Sequence, residues 1–284
     1  MLLIVGTIVV IISVLGGFVL SHGHLLALWQ PFELLIIGGA AFGGFLISNP
    51  MKVVKEVFAS LIAVLKGPKY KKQNYLDLLS VLYELLMTAR KDGLMSLEAH
   101  VEEPEQSALF QKYPSILKDH HLLEFITDCL RMIVSGGMNP NELEPLLERV
   151  METHHHEAEA PAHALSRVSD SLPGFGIVAA VLGIVTTMGS IGGDISVVGE
   201  HVAAALVGTF LGILLAYGFI GPLAVALEVR AKEDAKAYEC VTAALITNLH
   251  GYNPNISVEF ARKSLAADVR PSFADLEAHL KGQK

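Results

Sequence analysis

Charge is scarce in this chain. Asp, Glu, Lys and Arg make up 18% of its 284 residues, against about 25% in an ordinary soluble domain. With 52% hydrophobic residues and a mean hydropathy of +0.48, the composition excludes a disordered chain, which needs low hydrophobicity and high charge. The formal net charge of −8 argues against a nucleic-acid partner, which a basic patch would announce. Two cysteines, Cys129 and Cys240, cannot form a disulfide framework. Aromatic residues are few, at 7%, whereas glycines number 25; closely packed membrane helices favour such small residues.

The missing charge is local. From Met1 to Pro50 the only charged residue is Glu33, and from Ser171 to Leu227 there are only Asp194 and Glu200. Four apolar spans follow: Leu2–Leu20, Phe32–Ser48, Leu172–Ile191 and Val202–Leu227. About 20 apolar residues cross the hydrocarbon of a bilayer. The second span is short unless the Leu-rich stretch before it contributes, and the fourth is long enough to tilt or extend past the bilayer. The first lacks a basic n-region and a small-x-small cleavage site, so it reads as a retained helix rather than a signal peptide.

Lys and Arg are absent from the linkers Ser21–Pro31 and Gly192–His201. Of the 21 basic residues, 13 lie between Lys52 and Arg167 and 8 between Arg230 and Lys284. The positive-inside rule then places both termini, the middle segment and the tail in the cytoplasm. The expected fold is an all-α membrane protein with four transmembrane helices. Residues 1–50 hold helices 1 and 2, 51–170 a cytoplasmic helical domain, 171–227 helices 3 and 4, and 228–284 a helical stalk and tail.

The middle segment shows helical periodicity throughout. Val53, Val54, Val57, Leu61, Ile62 and Leu65 form an apolar face beside Lys52, Lys55 and Lys66, suited to a membrane interface or the helix bundle. Leu76, Leu79, Val81, Leu82, Leu85 and Leu86 predict a helix over Tyr75–Arg90 that ends at Gly93. His121–Val134 and Asn141–Glu159 predict two more, with Asn139-Pro140-Asn141 as a turn and start signal. Glu228–Leu249 continues the fourth membrane helix until His250-Gly251-Tyr252-Asn253-Pro254 stops it. Ser272 caps a last helix through Leu280.

Few motifs carry chemistry. Gly174-Phe175-Gly176 lacks the strand and the Gly-Lys-Ser/Thr of a phosphate loop and reads as helix packing, as does Gly39-x-x-x-Gly43. His154-His155-His156 with Glu157 and His163 cannot converge on one metal ion, because adjacent helical side chains diverge by about 100°; a solvated helix face is the plainer reading. No cofactor and no enzyme constellation is expected. Pro222 removes the donor for the Gly218 carbonyl and bends the fourth helix, while Pro173 fits the first position of the third. The third and fourth spans contain no titratable group within the hydrocarbon. An ion path along them needs a carboxylate from another subunit. Thr186, Thr187 and Thr209 either line such a path or bond back to their own helices.

The run Asp170-Ser171-Leu172-Pro173-Gly174-Phe175-Gly176-Ile177-Val178-Ala179-Ala180-Val181-Leu182-Gly183 closely resembles the third membrane helix of the MotA family of flagellar stator proteins. Val207-Gly208-Thr209-Phe210-Leu211-Gly212 through Phe219 resembles the fourth. The tail runs Asn248–Tyr252, Val258–Lys263 and Arg270–Phe273 are also similar. The resemblance covers essentially the whole chain, and extends more distantly to the ExbB/TolQ energisers, the alternative reading. It implies a multi-pass protein of the bacterial inner membrane, a homopentamer around a dimer of MotB-type single-helix subunits that supply the membrane aspartate. It implies proton flow driving torque on the rotor protein FliG. The family's rotor-contacting charges match Arg90 and Glu98, its two prolines match Pro173 and Pro222, and its ion-pathway threonine matches Thr209. Sodium-type relatives carry a threonine where this chain has Ala180, which implies proton coupling.

Overall fold

The computed structural model describes residues 2–136, 140–189 and 195–282. Every regular element among them is helical. The chain divides into two compact units, one of Met1–Gly67 with Glu159–Arg230, the other of Pro68–Ala158 with Ala231–Lys284.

The first unit contains α1 (Leu2–Leu20), a 3-10 turn at Leu25–Leu28, α2 (Pro31–Ser48) and α3 (Met51–Lys66). To these it adds the later part of α9 (Pro140–Gly189), α10 (Ile195–Ile213), a π-helical stretch at Leu214–Ile220 and the start of α11 (Gly221–Leu249). Four helical stretches are long and apolar enough to cross a membrane: Leu2–Leu20, Leu25–Ser48, Asn141–Gly189 and Ile195–Leu249. The Leu-rich stretch thus does lengthen the second span. The outward surface is apolar, with Ile12, Leu35, Val185 and Leu206 all more than half exposed; lipid is the solvent such a surface fits. Helix α3 has two apolar faces. Val54 and Val57 are buried against Phe45, Leu165 and Leu227, whereas Phe58, Ile62 and Leu65 are exposed.

The helix that carries the third span does not start at Leu172. Helix α9 runs unbroken from Pro140 to Gly189, so Pro173 lies inside a helix and not at its first position. Local propensity predicted a break; buried Ala162, Ala164, Leu165 and Leu172 show the packing that overrides it. Asn139 and the linker residues 190–194, including Asp194, lie outside the described residues.

The second unit packs α4 (Lys72–Asp92), a 3-10 turn (Leu94–Leu97) and the short helices α5 (Glu98–Glu102), α6 (Ala108–Gln111) and α7 (Pro114–Leu117) with α8 (His120–Val134). The first turns of α9, the later part of α11, α12 (Pro254–Ser264) and α13 (Phe273–Gly282) complete it. Its core joins Leu79, Leu82 and Leu85 to Phe110, Ile126, Leu147, Val241 and Val258. The apolar positions of α4 are buried as their spacing predicts. Gly93 ends that helix with φ +86°, and Gly251 follows α11 with φ +89°; both conformations favour glycine. Ser272 caps α13: its Oγ accepts from the Asp275 N–H at 3.1 Å, and its own N–H donates to Asp275 Oδ2 at 3.1 Å. Sequence predicted helical segments here but did not delimit α5, α6, α7 or α12.

Candidate functional site

Helices α9 and α10 meet along a seam of small residues. A Cβ on Gly212 would stand 2.7 Å from the Leu172 carbonyl oxygen and 2.9 Å from the Gly176 Cα. One on Gly183 would stand 2.9 Å from the Ala205 Cβ, and one on Gly208 3.2 Å from the Ala179 Cβ. Backbone touches backbone here, so only glycine fits. The packing assigned to Gly176 is therefore present. Within this chain a Cβ on Gly174, Gly39 or Gly43 would meet nothing within 4 Å among the described residues, so no helix of the same chain provides the contact expected there. A small-residue spacing permits close approach but does not say which face receives a neighbour.

Ala180 and Thr209 both lie on this seam. A Cβ on Gly208 would lie 3.7 Å from the Ala180 nitrogen, and one on Gly176 3.4 Å from the Thr209 Cα. Both residues are half-buried. Thr186 and Thr187 donate to the Leu182 and Gly183 carbonyls at 3.0 and 2.8 Å, back into their own helix. Thr209 shows no such bond among the described residues.

The two prolines are linked by a residue the sequence did not flag. Before Pro222 the backbone is π-helical over Leu214–Ile220, and the Gly221 N–H donates to the Ala216 carbonyl. A wider turn of this kind accommodates a break in the i to i−4 ladder. The same Ala216 carbonyl accepts a second hydrogen bond, from Ser169 Oγ of α9 at 2.9 Å. Ser169 is buried and stands one turn before Pro173, which denies its carbonyl the usual donor. A Cβ on Gly221 would lie 3.0 Å from the Ala216 oxygen and 3.1 Å from Ser169 Oγ, which explains glycine beside the proline. Two weakened points in two helices are thus joined by one hydroxyl.

Glu33 is the other residue that sequence placed and did not interpret. It sits in the first turn of α2, and a Cβ on Gly208 would lie 3.5 Å from its Cγ. Its Oε2 is buried without a hydrogen-bond partner. The sequence signal was present: Glu33 is the lone charge before Lys52.

Arg90 and Glu98 are both exposed. They flank the turn that Gly93 begins and Leu97 anchors in the core. Neither forms an ion pair among the described residues. At the other end of α4, Asp119 caps α8 and accepts from Tyr70 Oη at 2.5 Å and Lys69 Nζ at 3.0 Å. Burial raises its carboxyl, but the Tyr70 and Lys69 donors outweigh that and hold it below the ordinary 3.8. Among the described residues no group of three or more His, Cys, Asp or Glu converges as metal ligands would. His154 stacks on Tyr238 with ring centroids 3.9 Å apart, and burial lowers its pKa. Both cysteines are buried free thiols; burial pushes Cys129 up to about 12.

Comparison with known proteins places these features in context. The model for the Motility protein A N-terminal region matches residues 4–93, and that for the MotA/TolQ/ExbB proton channel family matches residues 118–240. The chain is 48% identical to Motility protein A of Salmonella typhimurium over 99% of its own length and 95% of that protein's. It is also 48% identical to Motility protein A of Escherichia coli, over 100% and 96%. Among solved structures it resembles the MotAB structure of C. jejuni with a TM-score of 0.74 and 23% identity, over 95% of this chain and 98% of that one. The flagellar MotAB stator complex of Bacillus subtilis gives 0.68 and 23%, over 90% and 92%.

Proposed function

This chain belongs to the Motility protein A family of flagellar stator proteins, and from that premise we propose that it couples proton flow across the bacterial inner membrane to torque on the flagellar rotor. The observation that carries the reading is the glycine-sealed α9–α10 pair. It holds no titratable side chain over 171–189 or 202–213, yet packs backbone to backbone around Ala180 and Thr209. A path along this pair takes its carboxylate from outside the pair. A MotB-type single-helix subunit supplies it, and five copies of this chain surround a dimer of that partner. Ala180 supports protons over sodium, because a proton needs no hydroxyl to replace a hydration shell. Thr209 lines the path.

The distribution of Lys and Arg supports cytoplasmic termini, with 51–170 and 228–284 as the cytoplasmic parts. Membrane lipid covers the apolar outer surface of the spans. Arg90 and Glu98 act on charges of opposite sign on FliG. Protonation of the partner's carboxylate biases two arrangements of the fourth-span helices α10 and α11 against α9, and Pro173 in α9 and Pro222 in α11 are where they yield. No part of this cycle is enzymatic.

The torque site is tested by charge reversal. An exposed contact is worth about 0.2–1 kcal/mol, so neutralising Arg90 or Glu98 should slow swimming modestly. Arg90→Glu and Glu98→Lys should slow it more, and a matching reversal on FliG should restore it. Normal swimming by both reversed variants at native expression would remove these residues from the torque site.

A further inference from the structure

We propose that Glu33 is a proton-binding station of this chain itself, placed on the route between the water outside α2 and the α9–α10 face. The inference rests on the proton-coupling reading above and adds a residue to it. Three observations carry it.

The first is isolation. Glu33 is the sole charged residue of α1 and α2, and neither 171–189 nor 202–213 adds an Asp, Glu, Lys, Arg or His. The nearest titratable groups in sequence on the elements around it are His22 and His24 before α2, and Glu200 and His201 at the start of α10. The second is depth. Gly208, against which the Glu33 side chain packs, lies about 10 Å along α10 from His201 at 1.5 Å per residue. A hydrocarbon layer is about 30 Å thick, so this contact stands well past the last titratable residue of α10, inside its uncharged stretch. The third is the unsatisfied atom. Glu33 Oε2 is buried and has no hydrogen-bond partner. A carboxylate oxygen left so is costly in a membrane, and such a group persists where function retains it. A helix-capping role would direct the carboxylate to the free N–H groups at the start of α2, and no bond of that kind is made among the described residues.

Glycine at 208 completes the geometry. It lets one spot on α10 touch Glu33 on α2 and Ala179 and Ala180 on α9, with Thr209 the next residue. The cycle is a proton exchange. A proton from outside water binds the Glu33 carboxylate and forms an O–H bond. That bond breaks as the proton passes, through water, toward the partner subunit's carboxylate on the α9–α10 face, and Glu33 returns to its anion. Nothing is oxidised or reduced. The sequence reading that another subunit must supply every membrane carboxylate is therefore incomplete for this chain.

The test co-expresses the full chain with its MotB-type partner and compares parent, Glu33→Gln and Glu33→Asp. Glutamine keeps the shape and loses the proton site; aspartate keeps the site on a shorter arm. Partner co-purification, proton entry read by a cytoplasmic pH dye, and swimming speed against external pH are measured together. Glu33→Gln should assemble as the parent does, pass protons about tenfold more slowly and swim at a speed insensitive to external pH. Glu33→Asp should recover part of the flux. Parental flux in Glu33→Gln overturns the assignment, as does a loss of assembly with unchanged flux per assembled complex, which makes Glu33 a packing residue. A parent that passes no protons overturns the proton-coupling reading itself.

Discussion

At the residue scale, the seam between α9 and α10 gives the sharpest expectation. Gly212→Ala puts a methyl group 2.7 Å from a backbone oxygen. Neither helix can yield locally, so the cost should be about 1–3 kcal/mol. Gly39→Ala meets nothing and should be neutral. Thermal unfolding of the detergent-solubilised chain compares the two directly, and equal melting would mean that the seam is not close-packed. Asp119 provides a pH-dependent counterpart in the other unit. Its folded carboxyl is held below 3.8, so the stability it contributes is present above that value. It is lost as pH falls through the lower folded pKa. Asp119→Asn should cost about 1–2 kcal/mol at neutral pH and remove that part of the acid sensitivity, as urea unfolding between pH 7 and pH 3 would reveal. An acid profile unchanged by the substitution would place the effect elsewhere.

At the scale of elements, the two long helices are not passive rods. The π-helical stretch Leu214–Ile220 and the proline after it form one device, and the Ser169 hydroxyl ties it to α9 at 2.9 Å. Hydrogen bonds between membrane helices are worth about 0.5–1.5 kcal/mol, so Ser169→Ala should lower stability by that amount. Pro222→Ala should do the opposite. It returns an N–H to the Gly218 carbonyl and lets ordinary α-helix replace the wider turn. A stiffer, more stable chain that assembles yet fails to swim is the expected outcome. Swimming at parental speed by Pro222→Ala would reduce the proline to a packing detail. Sequence reasoning located this break but read it as a simple bend. It missed Ser169 because a lone serine in an Ala-rich helix carries no signal until the helix opposite is in place.

At the scale of the whole molecule, burial decides which positions report the orientation of the chain. Cys129 is buried with its thiol pushed up to about 12, so its silence toward an impermeant reagent would follow from packing on either side of a membrane. A cysteine at Gly23 would collide with the Phe18 ring at 2.5 Å, and Gly193 lies outside the described residues. Leu26 is 87% exposed, and Lys91 is exposed at the end of α4. Leu26→Cys should react in intact cells, and Lys91→Cys only after permeabilisation. The reverse pattern would invert the topology read from the basic residues.

Composition alone determined that this chain is helical, membrane-spanning and carries its charge outside four spans, Glu33 excepted. A run of about 20 uncharged apolar residues has few other stable fates. The helix over Tyr75–Arg90 and the stops at Gly93 and Gly251 were equally legible, since periodicity and a positive-φ glycine are local properties. Motif resemblance supplied the family and the roles proposed for Arg90, Glu98 and Ala180, whereas Pro173, Thr209 and Pro222 stood out in the residues themselves. Tertiary structure decided what depends on neighbours. It kept α9 continuous through Pro173, because burial of its alanines and leucines outweighs one missing donor. It sorted the glycines, leaving Gly39 and Gly43 open and pressing Gly176 and Gly212 together, because spacing defines a face but not what lies against it. It turned Glu33 from an isolated charge into a half-buried carboxylate with its Oε2 covered beside Gly208, since only the packing of α2 on α10 determines which group stands next to that side chain.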